Sequence, residues 1–251
     1  MMATATVGRT TQARARVTAV DLLRGLVAQL PLARNRRAVP RVDGVVTIRH
    51  HMRPADRPAD LALRARLDAL CAEGWDLWQR FDIEVRQHAW HPFVAADYER
   101  VLRQLLALRT PGLRFLEWGS ATGVITIMAD LLGFDAYGIE LDEGLVRVAR
   151  DLGARFASGA RFAAGSFLPL GYEWKQQNGD RRLGTITEGI PAYAELGHPL
   201  EDFDLVFGFP WTGEEPMMHD LMRRYGGRKA RLLLYGVTQG VEVFRGGRRE
   251  P

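Results

Sequence analysis

Two periods of hydrophobic and polar positions divide the chain. From Asp60 to Phe81, Leu63, Leu67, Leu70, Cys71, Trp78 and Phe81 recur at helical spacing, which predicts an amphipathic helix capped by Asp60. Gly74 in its middle predicts a kink or a split into two helices. His91-Pro92 opens a second amphipathic segment, with a stripe of Val94, Val101, Leu102, Leu105, Leu106 and Leu108 that Pro111-Gly112 ends. Beyond that point short apolar runs alternate with helical ones. Strands are predicted at Arg114 to Trp118, Asp135 to Glu140, Arg161 to Ala164, Asp204 to Gly208, Arg231 to Tyr235 and Val241 to Phe244. Helices fall between them at Val124 to Leu132, Glu143 to Phe156 and Met217 to Tyr225. Such alternation calls for right-handed crossovers and a mostly parallel sheet covered on both faces. The expected fold is α/β and doubly wound, with about six strands and an α-helical N-terminal extension.

Three regions follow. Residues 1 to 58 form a basic extension with one predicted helix, Val17 to Leu30, a Pro/Arg-rich stretch and a short strand at Val45 to Ile48. Residues 59 to 112 form a helical segment packing on the core, and 113 to 251 form the core itself. Within the core, Pro169 to Glu201 is too long for a plain connection and predicts a lid on the ligand side of the sheet. The closing Arg/Gly tail, Arg245 to Arg249, reads as low complexity.

Composition narrows the class. Cys71 is the only cysteine of the 251 residues, which excludes an internal disulfide framework and a cysteine-rich zinc site. It fits a reducing compartment, and the expectation is a cytoplasmic protein. No cluster has metal-ligand spacing, so no metal is expected. No run reaches the ~18 uninterrupted apolar residues of a membrane span. The net charge of +4 is unevenly spread: residues 1 to 42 carry +7 and the remainder −3. The acidic body argues against a nucleic-acid partner. The Arg-rich head is also the composition of an organellar transit peptide.

The chemistry concentrates at Phe115-Leu116-Glu117-Trp118-Gly119-Ser120-Ala121-Thr122-Gly123, where an apolar strand ends in an acid and a turn of small residues opens a helix. Small side chains let a ligand approach the backbone. A second acid, Glu140, ends the next strand, where a carboxylate can accept two bonds from a ribose diol. A dinucleotide turn needs glycine or alanine at its sixth position, which here is Val124. The spacing instead resembles the motif of class I S-adenosylmethionine-dependent methyltransferases, whose fold is Rossmann-like. That resemblance spans roughly residues 90 to 235. It implies that Glu117, Gly119, Ser120, Ala121 and Gly123 cradle the methionine end of S-adenosylmethionine, and that Glu140 holds its ribose. Ser166 and Phe167, after the third strand, then meet the adenine. Alanine stands at the motif's middle glycine, and the usual third-strand acid is absent.

The resemblance places the methyl acceptor beside Phe209-Pro210-Trp211, after the fourth strand. Enzymes that methylate nucleobase or glutamine amino groups carry a polar residue where this chain has Gly208, so a small-molecule acceptor is expected instead. Phe209, Pro210 and Trp211, with Trp90 and Phe93, would form an aromatic slot for it. Orientation can contribute ~7–11 kcal/mol to such a displacement, more than one base usually supplies. The candidate bases are Glu214, Glu215 and His91. Two other readings stand beside this one: a non-catalytic protein that keeps the fold and uses its aromatic loop and basic head for partners, and a nicotinamide-dependent oxidoreductase. The head is expected to be dispensable for cofactor binding.

Overall fold

A hydrophobic stripe at helical spacing gives the first element of the computed structural model, in which residues 58–173 and 189–251 are described. Helix α1 spans Pro58–Phe81, with Pro58 in the first turn, where a missing N–H costs nothing, and Asp60 beside it. The helix runs through Gly74 without a split. A Cβ there would lie 2.8 Å from Tyr98 Cε2 and 2.9 Å from Val124 Cγ2, so the glycine is a point of close packing. A π-helical turn, Asp82–Arg86, follows.

The second amphipathic segment becomes helical only at Tyr98, not at His91-Pro92. Helix α2 is Tyr98–Leu108, capped by Asp97, whose side chain accepts the Arg100 N–H at 3.1 Å. Upstream, His91 Nδ1 takes the Phe93 N–H at 3.1 Å and the Tyr235 hydroxyl takes the Asp97 N–H at 3.1 Å. The first bond is local and the second ties the intervening chain to the sheet, in place of a helical turn.

The strands are β1 (Arg114–Trp118), β2 (Asp135–Glu140), β3 (Arg161–Ala164), β4 (Leu205–Gly208), β5 (Arg231–Gly236), β6 (Gly240–Arg245) and β7 (Arg248–Arg249). They form one sheet in the order β3-β2-β1-β4-β5-β6-β7. The first five are mutually parallel; β6 and β7 are antiparallel additions. The count is seven, within one of the six expected. Gly246 and Gly247, both left-handed at φ 57° and 77°, make the tight turn that folds the Arg/Gly tail into a last hairpin.

Alternate residues feed two cores. Phe115, Phe207 and Leu233 pack under α1, α2, α3 (Val124–Leu131) and α4 (Glu143–Arg155). Leu116, Val206 and Leu232 face α5 (Tyr193–Leu196) and α6 (Glu215–Tyr225). The fold is therefore the doubly wound, mostly parallel α/β sheet expected from the sequence. The predicted helix at Val17 to Leu30, the strand at Val45 to Ile48, and the middle of the 169–201 insertion lie outside the described residues. No described helix is long and apolar enough to cross a membrane.

Candidate active site

The C-terminal ends of β1 to β5 and the segment leading to α2 enclose a cavity of about 680 Å³. Its centre is the turn after β1. Gly119 and Ser120 both donate to the Ile139 carbonyl at 2.9 Å, which ties the turn to β2. Gly119, Ala121 and Gly123 are left-handed, at φ 71°, 45° and 79°. Only Ala121 carries a Cβ in that region, and its N–H donates to Glu140 Oε2 at 2.8 Å. Glu140 Oε1 accepts the Asp142 N–H at 2.9 Å. Each oxygen thus keeps lone-pair capacity on a carboxylate that the backbone has already oriented. Burial pushes the Glu140 carboxyl above its ordinary range, and the two N–H bonds oppose that rise.

Gly119 and Ala121 line the cavity, while Gly123 and Ser120 do not. A Cβ on Gly123 would lie 2.7 Å from both Ala149 Cβ and Phe162 Cζ, so that glycine serves helix packing. Ser120 is buried, with its hydroxyl unpartnered, beside a second cavity of about 40 Å³ under the turn that Glu117 also borders.

Over β2 and β3, Phe167 stacks on Trp118 at 5.3 Å between ring centroids and 20° between planes. Tyr193 fixes the pair: its hydroxyl accepts Trp118 Nε1–H at 3.1 Å and donates to the Phe167 carbonyl at 2.7 Å. The Ser166 hydroxyl oxygen accepts the Leu168 N–H at 3.1 Å, leaving its proton to donate into the cavity it lines. Trp118, Tyr193 and Asp142 were not singled out from sequence. Asp142 had a legible signal, since it caps α4 by accepting from Gly144 and Leu145.

Over β4 and β5 the lining changes to Phe209, Pro210, Trp211, Glu214, Met218 and Val237, faced by Trp90 to Val94. Trp90 and Trp211 stand 6.5 Å apart, inclined at 45°. Gly208 leaves room for α6: a Cβ there would meet Met218 Sδ at 2.8 Å.

The three candidate bases separate sharply. Glu214 is 5% exposed, its Oε2 accepts the Trp211 N–H at 2.9 Å, and its Oε1 is buried without a partner. Burial lifts its carboxyl to about 7. Glu215 turns away from the cavity and faces His219 at 3.6 Å with its side chain exposed. His91 lines the cavity, but Nδ1 holds the Phe93 N–H and Nε2 lies 3.5 Å from Asp142 Oδ2. Both of its nitrogens are therefore occupied. The His91 contact, with the backbone bonds, holds the Asp142 carboxyl below its ordinary range against the effect of burial. Among the described residues lining the cavity, three are carboxylic and none is lysine or arginine.

No family model and no curated protein sequence matches the chain. Similar solved structures include a precorrin-6Y C5,15-methyltransferase from Geobacter metallireducens, at 18% identity over 60% of this chain and 69% of that one, with a TM-score of 0.41. An S-adenosylmethionine-dependent methyltransferase from Thiobacillus denitrificans, in complex with S-adenosylhomocysteine, is 18% identical over 61% of this chain and 53% of that one, with a TM-score of 0.39. An RNA methyltransferase from Salinibacter ruber, in the same complex, is 15% identical over 53% of this chain and 72% of that one, with a TM-score of 0.38. These three solved structures are methyltransferases, and two of the three hold S-adenosylhomocysteine.

Proposed function

We propose that the protein is an S-adenosylmethionine-dependent methyltransferase acting on a small-molecule acceptor. The observation that carries this reading is Glu140, a carboxylate oriented by the Ala121 and Asp142 N–H groups at the rim of a glycine-lined turn. Its remaining lone pairs suit a ribose diol, and charge-assisted bonds of that kind contribute about 1.5–3 kcal/mol. Trp118, Phe167 and the Ser166 hydroxyl suit a purine beside it, as an aromatic wall and a donor.

When bound, S-adenosylmethionine supplies a sulfonium methyl group that an acceptor displaces in line. The chain's own part is to hold and orient. Gly119 and Ala121 keep the turn open, Trp90 to Val94 line the cavity, and Phe209, Pro210 and Trp211 flank the acceptor. The cavity volume of about 680 Å³ falls within the ~300–1,000 Å³ usual for small-molecule sites.

A dinucleotide fits these residues poorly. Its pyrophosphate would sit at the N-terminus of α3, where Glu117 already accepts the Thr126 N–H at 2.9 Å, and no cationic side chain among the described lining residues would meet it. Calorimetry with S-adenosylhomocysteine tests the proposal. The wild type is expected to bind it and Glu140→Ala to bind at least tenfold more weakly. No binding by the wild type overturns the cofactor assignment, and an unchanged affinity in the variant overturns the ribose role.

A further inference from the structure

The acceptor half of the cavity contains a feature that methyl transfer in general does not require. Glu214 is buried, its Oε2 takes a single backbone N–H, and its Oε1 has no partner at all. A buried acceptor without a donor is costly, and a buried carboxylate calls for a cation. The described lining residues offer none: the other titratable groups are Glu140, Asp142 and His91, and His91 is engaged with Asp142. Trp211 bonds Glu214 through its N–H, Phe209 lines the same cavity, and Trp90 stands 6.5 Å from Trp211. Aromatic faces attract cations within about 6 Å of the ring centre.

We propose that this half of the cavity binds an organic amine in its ammonium form, with the Glu214 carboxylate as its counter-ion and Trp90, Phe209 and Trp211 around the charge. The inference rests on the cofactor reading above and names the acceptor class for it. Phosphate and carboxylate acceptors are opposed by the three carboxyl groups. A phenol or alcohol fills one hydrogen bond but leaves the acidic cavity uncompensated.

The chemistry balances on this chain's residues. An N–H bond of the ammonium breaks and an O–H bond forms at the Glu214 carboxylate. The nitrogen becomes a neutral amine with a free lone pair, and the carboxylate becomes a carboxylic acid that later releases its proton to solvent. Burial places that carboxyl near 7, where it exchanges protons readily at neutral pH. The acceptor must therefore be a primary, secondary or tertiary amine, because a quaternary ammonium has no proton to give.

Calorimetry with tryptamine, tryptophol and indole-3-acetate separates the outcomes, since the three share a ring and differ in head group. Each is titrated into wild type with and without S-adenosylhomocysteine. Tryptamine is expected to bind at least tenfold more tightly than tryptophol, and indole-3-acetate not to bind. Glu214→Gln is expected to abolish the amine preference. Should that variant not fold, Trp90→Leu, at the exposed rim, is expected to narrow the preference at least threefold. Absence of tryptamine binding, equal affinity for amine and alcohol, or a preference retained in the folded variants overturns the proposal. Wild-type binding of S-adenosylhomocysteine is scored separately and reports on the cofactor reading alone.

Discussion

One oxygen of the Glu117 carboxyl accepts both the backbone N–H and the hydroxyl of Thr126, at 2.9 and 2.5 Å. The pairing follows from the residue at the start of α3. Gly123 occupies the N-cap position and has no side chain with which to cap. Glu117, at the end of the preceding strand, takes over that task from across the turn, and the acid and the glycines of the motif thereby act as one unit.

Thr126→Val tests this unit, because it keeps the shape of a fully buried side chain and removes only the hydroxyl. The bond is to a buried carboxyl that is left with one partner fewer, so the expected loss is about 1–3 kcal/mol. Urea denaturation should show a lower midpoint with an unchanged slope. A midpoint equal to that of the wild type contradicts the capping role.

Burial lifts the Glu117 carboxyl to about 8 and the Glu214 carboxyl to about 7. Unfolded, both titrate near ~4.3. Between those values the folded protein retains protons that the unfolded chain has released, so stability falls as pH rises. The contribution is fully present below the unfolded value and is lost as pH climbs through 7 and 8. Each unit of that window is worth up to about 1.4 kcal/mol per group. Thermal melts of the ligand-free protein at pH 5 to 9 should show Glu214→Gln gaining on the wild type up to about pH 7, with no further gain above it. Parallel curves for the two proteins would mean that Glu214 ionises in the folded state as it does in water.

Gly119 and Gly123 are both left-handed, yet they should fail differently when replaced. Gly119→Ala meets no heavy atom within 4 Å and adds a methyl group at the cavity wall. Its cost in stability is the backbone penalty alone, about 1–2 kcal/mol, with at least a tenfold loss of S-adenosylhomocysteine affinity. Gly123→Ala adds contacts of 2.7 Å to Ala149 and Phe162, so a further ~1–3 kcal/mol of overpacking is expected. Melting and calorimetry on both variants give the comparison. Equal thermal losses would show that the space around Gly123 relaxes freely.

Adjacent acids at the start of α6 provide the fourth test. Glu215→Gln should leave the rate of S-adenosylhomocysteine release from an amine acceptor unchanged, since its exposed side chain faces His219. Glu214→Gln should lower that rate at least a hundredfold, the lower end of what a positioned base contributes (about 10²–10⁴). A rate for Glu214→Gln within threefold of the wild type removes the proton-accepting role.

The sequence alone determined whatever depends on near neighbours. The parallel strands, the helices between them and the turn from Glu117 to Gly123 are written in local hydrophobic periods and in residues a few positions apart. So is Glu140, which ends its strand beside that turn. Local reading failed where a distant residue decides the outcome. Gly74 signals a break on its own, but Tyr98 and Val124 turn it into a packing site. Asp97 and Tyr235, far apart in the chain, delay α2 until Tyr98. Glu214 and Glu215 are indistinguishable in a row of letters. The direction of α6 buries one carboxyl in the cavity and leaves the other outside. The Trp118, Phe167 and Tyr193 cluster likewise exists only in three dimensions, because its bonds join residues 75 and 26 positions apart. Secondary structure follows from short-range sterics and solvent-driven patterning. Which buried polar group stays unpaired is settled by long-range packing alone.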